Sequence, residues 1–288
     1  MRNGWLAVVT ALVAASPGVA RAGAWTQPEG ACYLKLDARL IAGSGAYLST
    51  GLRDDRQGIV DYADVQVGFY GECGVTPRLT VLAFGVPFGY AVAGGRDTAY
   101  VGPLGAGLRF DPLGDGGATR LGFELDYAYA PAVGDAILFE EPDATPRVFY
   151  RAALENHYGE LSMQIGHGFG ISDDVSGWVN GAVGVRLNSA VGTSPALTAR
   201  LQVGFTFWRW FQTEVYFPLY EPFFGDLVET NIAGVGQTRY LGFGIRLSAW
   251  MVDWLSVFAS LDGVFWASSN AATPSVRVGL ESRFSTMQ

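Results

Sequence analysis

The chain has 288 residues, of which 49% are hydrophobic, 14% aromatic and only 16% charged, with 39 glycines and a formal net charge of −8. That acidic balance excludes a general nucleic-acid binder, which would present a basic face. Past the N-terminal segment no apolar run is long enough for a membrane-spanning helix, so the apolar content is spread over many short segments.

The N-terminus has the three parts of a secretion signal. Arg2 supplies a positive start, Trp5 to Ala15 an apolar core too short to span a bilayer, and Ala20-Arg21-Ala22 a small-residue cleavage site. The expected division is therefore a signal peptide over 1–22 and one exported domain over 23–288.

Period-two alternation then repeats along the chain, with one apolar and one polar face per segment. Leu34, Leu36, Ala38 and Leu40 oppose Lys35, Asp37 and Arg39; after a loop from Gly43 to Gly58, Ala63, Val65, Val67 and Phe69 oppose Asp64, Gln66, Tyr70 and Glu72. Gly74 to Pro77 makes a tight turn. The third segment, Arg78 to about Tyr90, alternates weakly, because Leu79, Val81 and Ala83 on one face meet Leu82, Phe84 and Val86 on the other. An apolar constriction built from those last three would suit hydrophobic cargo, whereas a charged one would suit polar solutes or a plug. Leu104 to Phe110 and Leu121 to Tyr129 follow, separated by a turn at Asp111 to Gly117, and then a long loop rich in acids and proline, Pro131 to about Asn156.

Six further segments are regular: Glu160 to Ile165, Trp178 to Leu187, Leu197 to Phe207, Phe211 to Leu219, Leu241 to Ser248 and Leu255 to Asp262, with a second large loop over Glu221 to Thr238. Ser275 to Phe284 is the twelfth. It sets Val276, Val278, Leu280 and Phe284 against Arg277, Glu281 and Arg283. An even strand number, with long connections after odd strands and short ones after even strands, predicts an all-β fold: a transmembrane, antiparallel, up-and-down β-barrel of twelve strands. The first strand must pair with the last, since an open edge in hydrocarbon would strand its backbone donors and acceptors. Aromatics at strand ends (Tyr127, Tyr129, Phe207, Trp208, Trp210, Phe211, Trp250, Trp254, Trp266) are expected to form interfacial girdles. Phe284, four residues from the end, is the expected assembly signal, since outer-membrane barrels commonly end in an aromatic strand residue.

Ala24-Trp25-Thr26-Gln27-Pro28-Glu29-Gly30 with Tyr33-Leu34-Lys35-Leu36, and Tyr70-Gly71-Glu72-Cys73-Gly74-Val75-Thr76-Pro77-Arg78-Leu79-Thr80, resemble short motifs of the meta-pathway phenol-degradation family of outer-membrane barrels. The resemblance implies an outer-membrane channel or transporter for small, hydrophobic or aromatic compounds. It carries no site residues across.

By parity the lumen receives Lys35, Arg39, Arg78, Arg109, Arg120, Arg186, Arg200, Arg246, Arg277 and Arg283 against Asp37, Asp64, Glu72, Glu124, Asp126, Glu160, Glu214, Asp262 and Glu281. Such a set either fills the barrel as a salt-bridge network or lines a narrow pore, since charge rings also select solutes. Cys32 and Cys73 fall at adjoining ends of the first two strands, both on the outward face, which permits either a disulfide or two free thiols. Ser162, His157 and Asn156 invite comparison with barrel phospholipases, but Ser162 has inward parity, so no enzyme is expected. Two histidines, His157 and His167, are too few for the usual metal site, and no cofactor is implied. Gly102 to Gly107 lacks the lysine and helix of a phosphate loop. The expected setting is the outer membrane, with lipid, the barrel-assembly machinery and a small-molecule solute as partners and no nucleic acid; solute identity and oligomeric state stay open. The alternative to a channel is a plugged structural or surface-interaction barrel with acidic loops.

Overall fold

The computed structural model describes residues 25–51, 53–54, 61–114, 117–138, 148–190, 193–224 and 229–285. The expected leader over 1–22 and the acidic Glu140, Glu141 and Asp143 lie outside them. Twelve strands of the described residues form one closed antiparallel barrel: β1 (Ala31–Gly43), β2 (Tyr62–Thr76), β3 (Leu79–Ala93), β4 (Leu104–Phe110), β5 (Thr119–Ala130), β6 (Asn156–Ser172), β7 (Val175–Asn188), β8 (Ala196–Phe207), β9 (Phe211–Pro222), β10 (Arg239–Val252), β11 (Leu255–Ser268) and β12 (Ser275–Ser285). Each strand pairs with its sequence neighbours. The seam is β1 on β12, in register from Ala31↔Ser285 to Ile41↔Ser275.

Alternation puts the aliphatic rows outside. Leu108, Leu125 and Leu161 lie side by side across β4, β5 and β6 and are exposed, as are Leu36, Ile165, Leu187, Leu247 and Val278. In water such a surface would aggregate; against acyl chains it is the solvated side of the fold. Trp208, Trp210 and Trp254 ring the short-turn end, and Tyr127, Tyr129 and Trp266 the long-loop end. Trp250 departs from the expected girdle: it stacks under the Arg283 guanidinium, 3.6 Å from the ring centroid, because both side chains turn to the inside.

The third strand also departs from simple alternation. Its pairing with β2 shifts between Val67↔Phe88 and Phe69↔Gly85, so an extra residue reverses the faces. Thr80 and Leu82 point in below the bulge, whereas Phe88, Tyr90 and Val92 point out above it. Arg78 likewise leaves the expected lumen set. It occupies the β2–β3 turn beside Gly114, because the strand begins only at Leu79.

Connections at the long-loop end do not stay on the surface. Ile137–Leu138, Val148–Tyr150 and Thr230–Asn231 form a small sheet, and Ala46–Tyr47, Arg53–Asp54 and Asn270–Ala271 form another. Between them and the barrel wall lies a hydrophobic core including Tyr62, Ala91, Tyr100, Ile137, Val148, Tyr150 and Ile232. At the opposite rim Cys32 and Cys73, directly paired in register with Cα atoms 4.2 Å apart, are joined by a disulfide.

Two outcomes are expected from this architecture. Leu125→Arg puts a charge in the lipid-facing row and should cost about 2–4 kcal/mol if that row sits near the bilayer midplane, read from equilibrium unfolding in lipid vesicles; no loss would place the row outside the hydrocarbon. Iodoacetamide on unreduced protein should add no mass, and after reduction it should add two carbamidomethyl groups.

Candidate functional site: a charged lumen

Inward positions carry the polar half of most strands, β3 excepted, and the side chains sort into separate clusters. On the β2–β5 side, Arg109 is gripped by Glu72 at 3.0 Å and Glu124 at 2.7 Å and reaches the Tyr70 hydroxyl at 3.2 Å. Its guanidinium also donates to the Trp25 carbonyl at 3.2 Å. That contact anchors the N-terminal residues 25–30 inside the short-turn mouth, where Gln27 bonds Glu72 and the Trp25 ring lies on Gly166 of β6, too close for any side chain there. Asp126 shares this wall and lies over Gly107. Its Oδ1 accepts no hydrogen bond among the described residues. Arg120 is drawn to the β4–β5 turn by Asp111 at 3.3 Å, and Asp111 accepts the Leu113 and Gly114 amides there.

Farther round, Glu160 takes Arg186 at 2.6 Å and the Thr198 hydroxyl at 2.7 Å, with Arg186 over the Tyr158 ring. Glu214 lies 3.8 Å from both Arg200 and Arg246 and accepts Gln202 at 2.7 Å. Glu281 binds Arg246, the Tyr33 hydroxyl at 2.7 Å and Ser256 at 3.1 Å. Lys35 and Arg277 both approach Asp37 at 3.6 Å, and the Tyr216 hydroxyl donates to Asp262. Phe258 is an inward residue that polar parity passes over: buried between Lys35 and Arg246, it offers its ring face to both cations. Its position between Ser256 and Ser260 was the available signal.

Asp64 stands apart from the ion pairs. It is buried, and its carboxylate accepts the hydroxyls of Tyr100 at 2.7 Å and Tyr150 at 2.5 Å and the Gln66 amide at 3.0 Å. Tyr150 belongs to the 131–155 connection, so Asp64 ties that connection to the barrel wall.

A cavity of about 740 Å³ opens at the short-turn rim by Asp253 and Ser285 and is lined from both sides of the lumen, by Tyr70, Glu72, Arg109 and Glu124 and by residues of β6–β10 and β12. A second of about 390 Å³ shares Arg200, Pro218 and Tyr240 with it and reaches Asn270 and Thr273 at the long-loop end. The border between them is thus polar. Leu82, Phe84 and Val86 line neither cavity; Phe84 instead fills the space over Gly105 and Ala128. Ser162 faces the lumen while His157 is on the outside, bonded to Tyr127 and stacked on Tyr129, so they share no site. Among the described residues no group of His, Cys, Asp and Glu is disposed to hold a metal ion.

No family model matches the chain, and no curated protein matches it in sequence. Among solved structures it is similar to an outer-membrane channel from Pseudomonas putida F1, at 13% identity over 93% of this chain and 100% of that one, with a TM-score of 0.61. It is also similar to the β domain of the Bordetella autotransporter BrkA, at 15% identity over 90% of this chain and 100% of that one, with a TM-score of 0.50. These likenesses support the barrel architecture of outer-membrane proteins and leave the phenol-degradation family unconfirmed.

Removing the Asp64 carboxylate should free the loop core. With Ala152→Cys as a buried reporter, Asp64→Ala should speed maleimide labelling roughly tenfold or more, the scale of a lost charge-assisted hydrogen bond. Unchanged labelling would mean that packing alone holds the connection.

Proposed function

We propose that the protein is a passive outer-membrane channel for small solutes, with its short turns in the periplasm and its long loops outside the cell. The observation that carries this reading is the pair of adjoining cavities inside the barrel, the larger bordered by the Arg109 cluster of Tyr70, Glu72 and Glu124 as well as by residues of β6–β10 and β12. A barrel whose ion pairs simply filled it would leave no such space. The lining of the larger cavity includes Lys35, Arg186, Arg200 and Arg246 with Glu160, Glu214 and Glu281. Charge of both signs in a narrow passage favours polar or ionic solutes over neutral hydrocarbons. The likeness to a Pseudomonas putida channel is consistent with the reading and shows the fold.

The buried loop core supports a second reading, a barrel plugged from outside that serves structure or surface contact. Planar-bilayer recording separates the two. The channel reading expects small discrete conductance steps that grow in Tyr240→Ala, since Tyr240 borders both cavities; a silent wild-type barrel favours the plug. Phe284 sits opposite Cys32 on the outward face of the closing strand, the position proposed here for the assembly signal. Deleting residues 285–288 should leave membrane insertion intact and Phe284→Ala should impair it.

A further inference from the structure

The 390 Å³ cavity is electrostatically unlike the rest of the lumen. Among the described residues its charged lining is Arg39, Arg200 and Arg277, with Asp262 alone against them. In the larger cavity, by contrast, six cations (Lys35, Arg109, Arg186, Arg200, Arg246, Arg283) face six acids (Glu72, Glu124, Glu160, Glu214, Asp253, Glu281). Asp262 is already engaged, accepting Tyr216 and, at 3.3 Å, Ser260.

None of the three arginines is well matched. Arg39 spends its Nε on the Ser275 hydroxyl at 3.0 Å and has no carboxylate within 4.0 Å among the described residues. Among the described residues Arg277 reaches only Asp37, at 3.6 Å and shared with Lys35, and its Nε makes no hydrogen bond. Arg200 is 48% exposed to the cavity, 3.8 Å from a Glu214 that Arg246 also approaches. Arg39 and Arg277 are moreover direct partners in the β1–β12 register. Like charges opposed across two strands are destabilising, the more so away from bulk water. An anion between them would remove that penalty.

The remaining walls are not those of a plain salt site. Ile41, Val264, Pro218 and the rings of Tyr62 and Tyr240 also line the space. Its volume lies in the range of roughly 300–1,000 Å³ common to small-molecule pockets, which combine apolar walls with few placed polar groups. We infer that this cavity is a binding subsite for small organic monocarboxylates, with the carboxylate held between Arg39, Arg277 and Arg200 and an apolar or aromatic body against Ile41, Val264 and Tyr240. The assignment deepens the channel reading by naming the solute class it takes at its outer half.

The test is calorimetric titration of the detergent-solubilised full chain with benzoate, acetate and benzyl alcohol. Benzoate should bind saturably, and acetate and benzyl alcohol at least tenfold more weakly. Arg39→Gln with Arg277→Gln should weaken benzoate by roughly ten- to a hundredfold, the range for lost hydrogen bonds to charge. Asp262→Asn, which removes the one acid of the lining, should tighten it and guards against an arginine double variant that fails to fold. Equal affinity for benzoate and benzyl alcohol, no saturable binding, or indifference to both sets of substitutions would overturn the subsite. The readout does not depend on conduction: a silent bilayer with saturable benzoate binding would sink the channel and leave the subsite, and conductance without benzoate binding would do the reverse.

Discussion

Everything in this molecule follows from the need to pair its backbone inside hydrocarbon. A single unpaired strand edge there would leave donors and acceptors with no water to turn to, at several kcal/mol for each group. The β1–β12 seam meets that requirement by matching eleven residues of β1 to eleven of β12, from Ala31↔Ser285 to Ile41↔Ser275. Closure then imposes the alternation. Once the ring is shut, every second side chain faces lipid and the rest must share a lumen that lipid cannot enter, so the polar half of each strand is brought together regardless of sequence distance. Tyr33 and Glu281 meet only because the ring is closed.

A lumen filled this way is a poor source of stability. Buried ion pairs recover little more than the desolvation they cost, and removing one partner is far more damaging than the pair is beneficial. What the network supplies is shape. Arg109 holds Glu72, Glu124, Tyr70 and the Trp25 carbonyl in one place, which makes the β2–β5 wall solid and carries the 25–30 segment into the short-turn mouth. Asp64 does the same for the long-loop connections through two tyrosine hydroxyls. Space is left between these knots, bordered by Arg109 in the larger cavity and by the loosely paired Arg200 and Arg277 in the smaller.

Much of this could be read from the residues, and the parts that could not have physical causes. Strand number, seam and the inward charges rest on period-two alternation, which closure enforces strictly, so Lys35, Arg109, Glu214 and Glu281 fall where parity puts them. Bulges defeat parity. The two apolar faces of the third strand become sensible only with the register shift beside Val67, for which Pro87, next to Phe88 in the strand, was the available signal. Pairing partners are equally silent in sequence: Lys35 stands opposite Glu281 in register, yet Glu281 bonds Arg246 because a longer side chain reaches across from β10. The 131–155 connection, polar and proline-rich on composition, hides Val148 and Tyr150, whose burial depends on contacts with Tyr62 and Ile232 far away in the chain.

The asymmetry of the filling gives the passage its character. An evenly charged ring would present the same potential to a solute from every side. Here the Arg109 cluster sets one cation against two acids, Glu72 and Glu124, beside the larger cavity. The two cavities differ along the barrel, from cations and acids matched in number in the larger to an arginine excess among the described lining residues of the smaller. Pro218 stands at that transition opposite Arg200 in the β8–β9 register, and having no amide it gives nothing to the ladder on its far side. Arg200, Pro218 and Tyr240 are thus the residues that border both cavities, with the Arg200 guanidinium at the junction between the two charge balances.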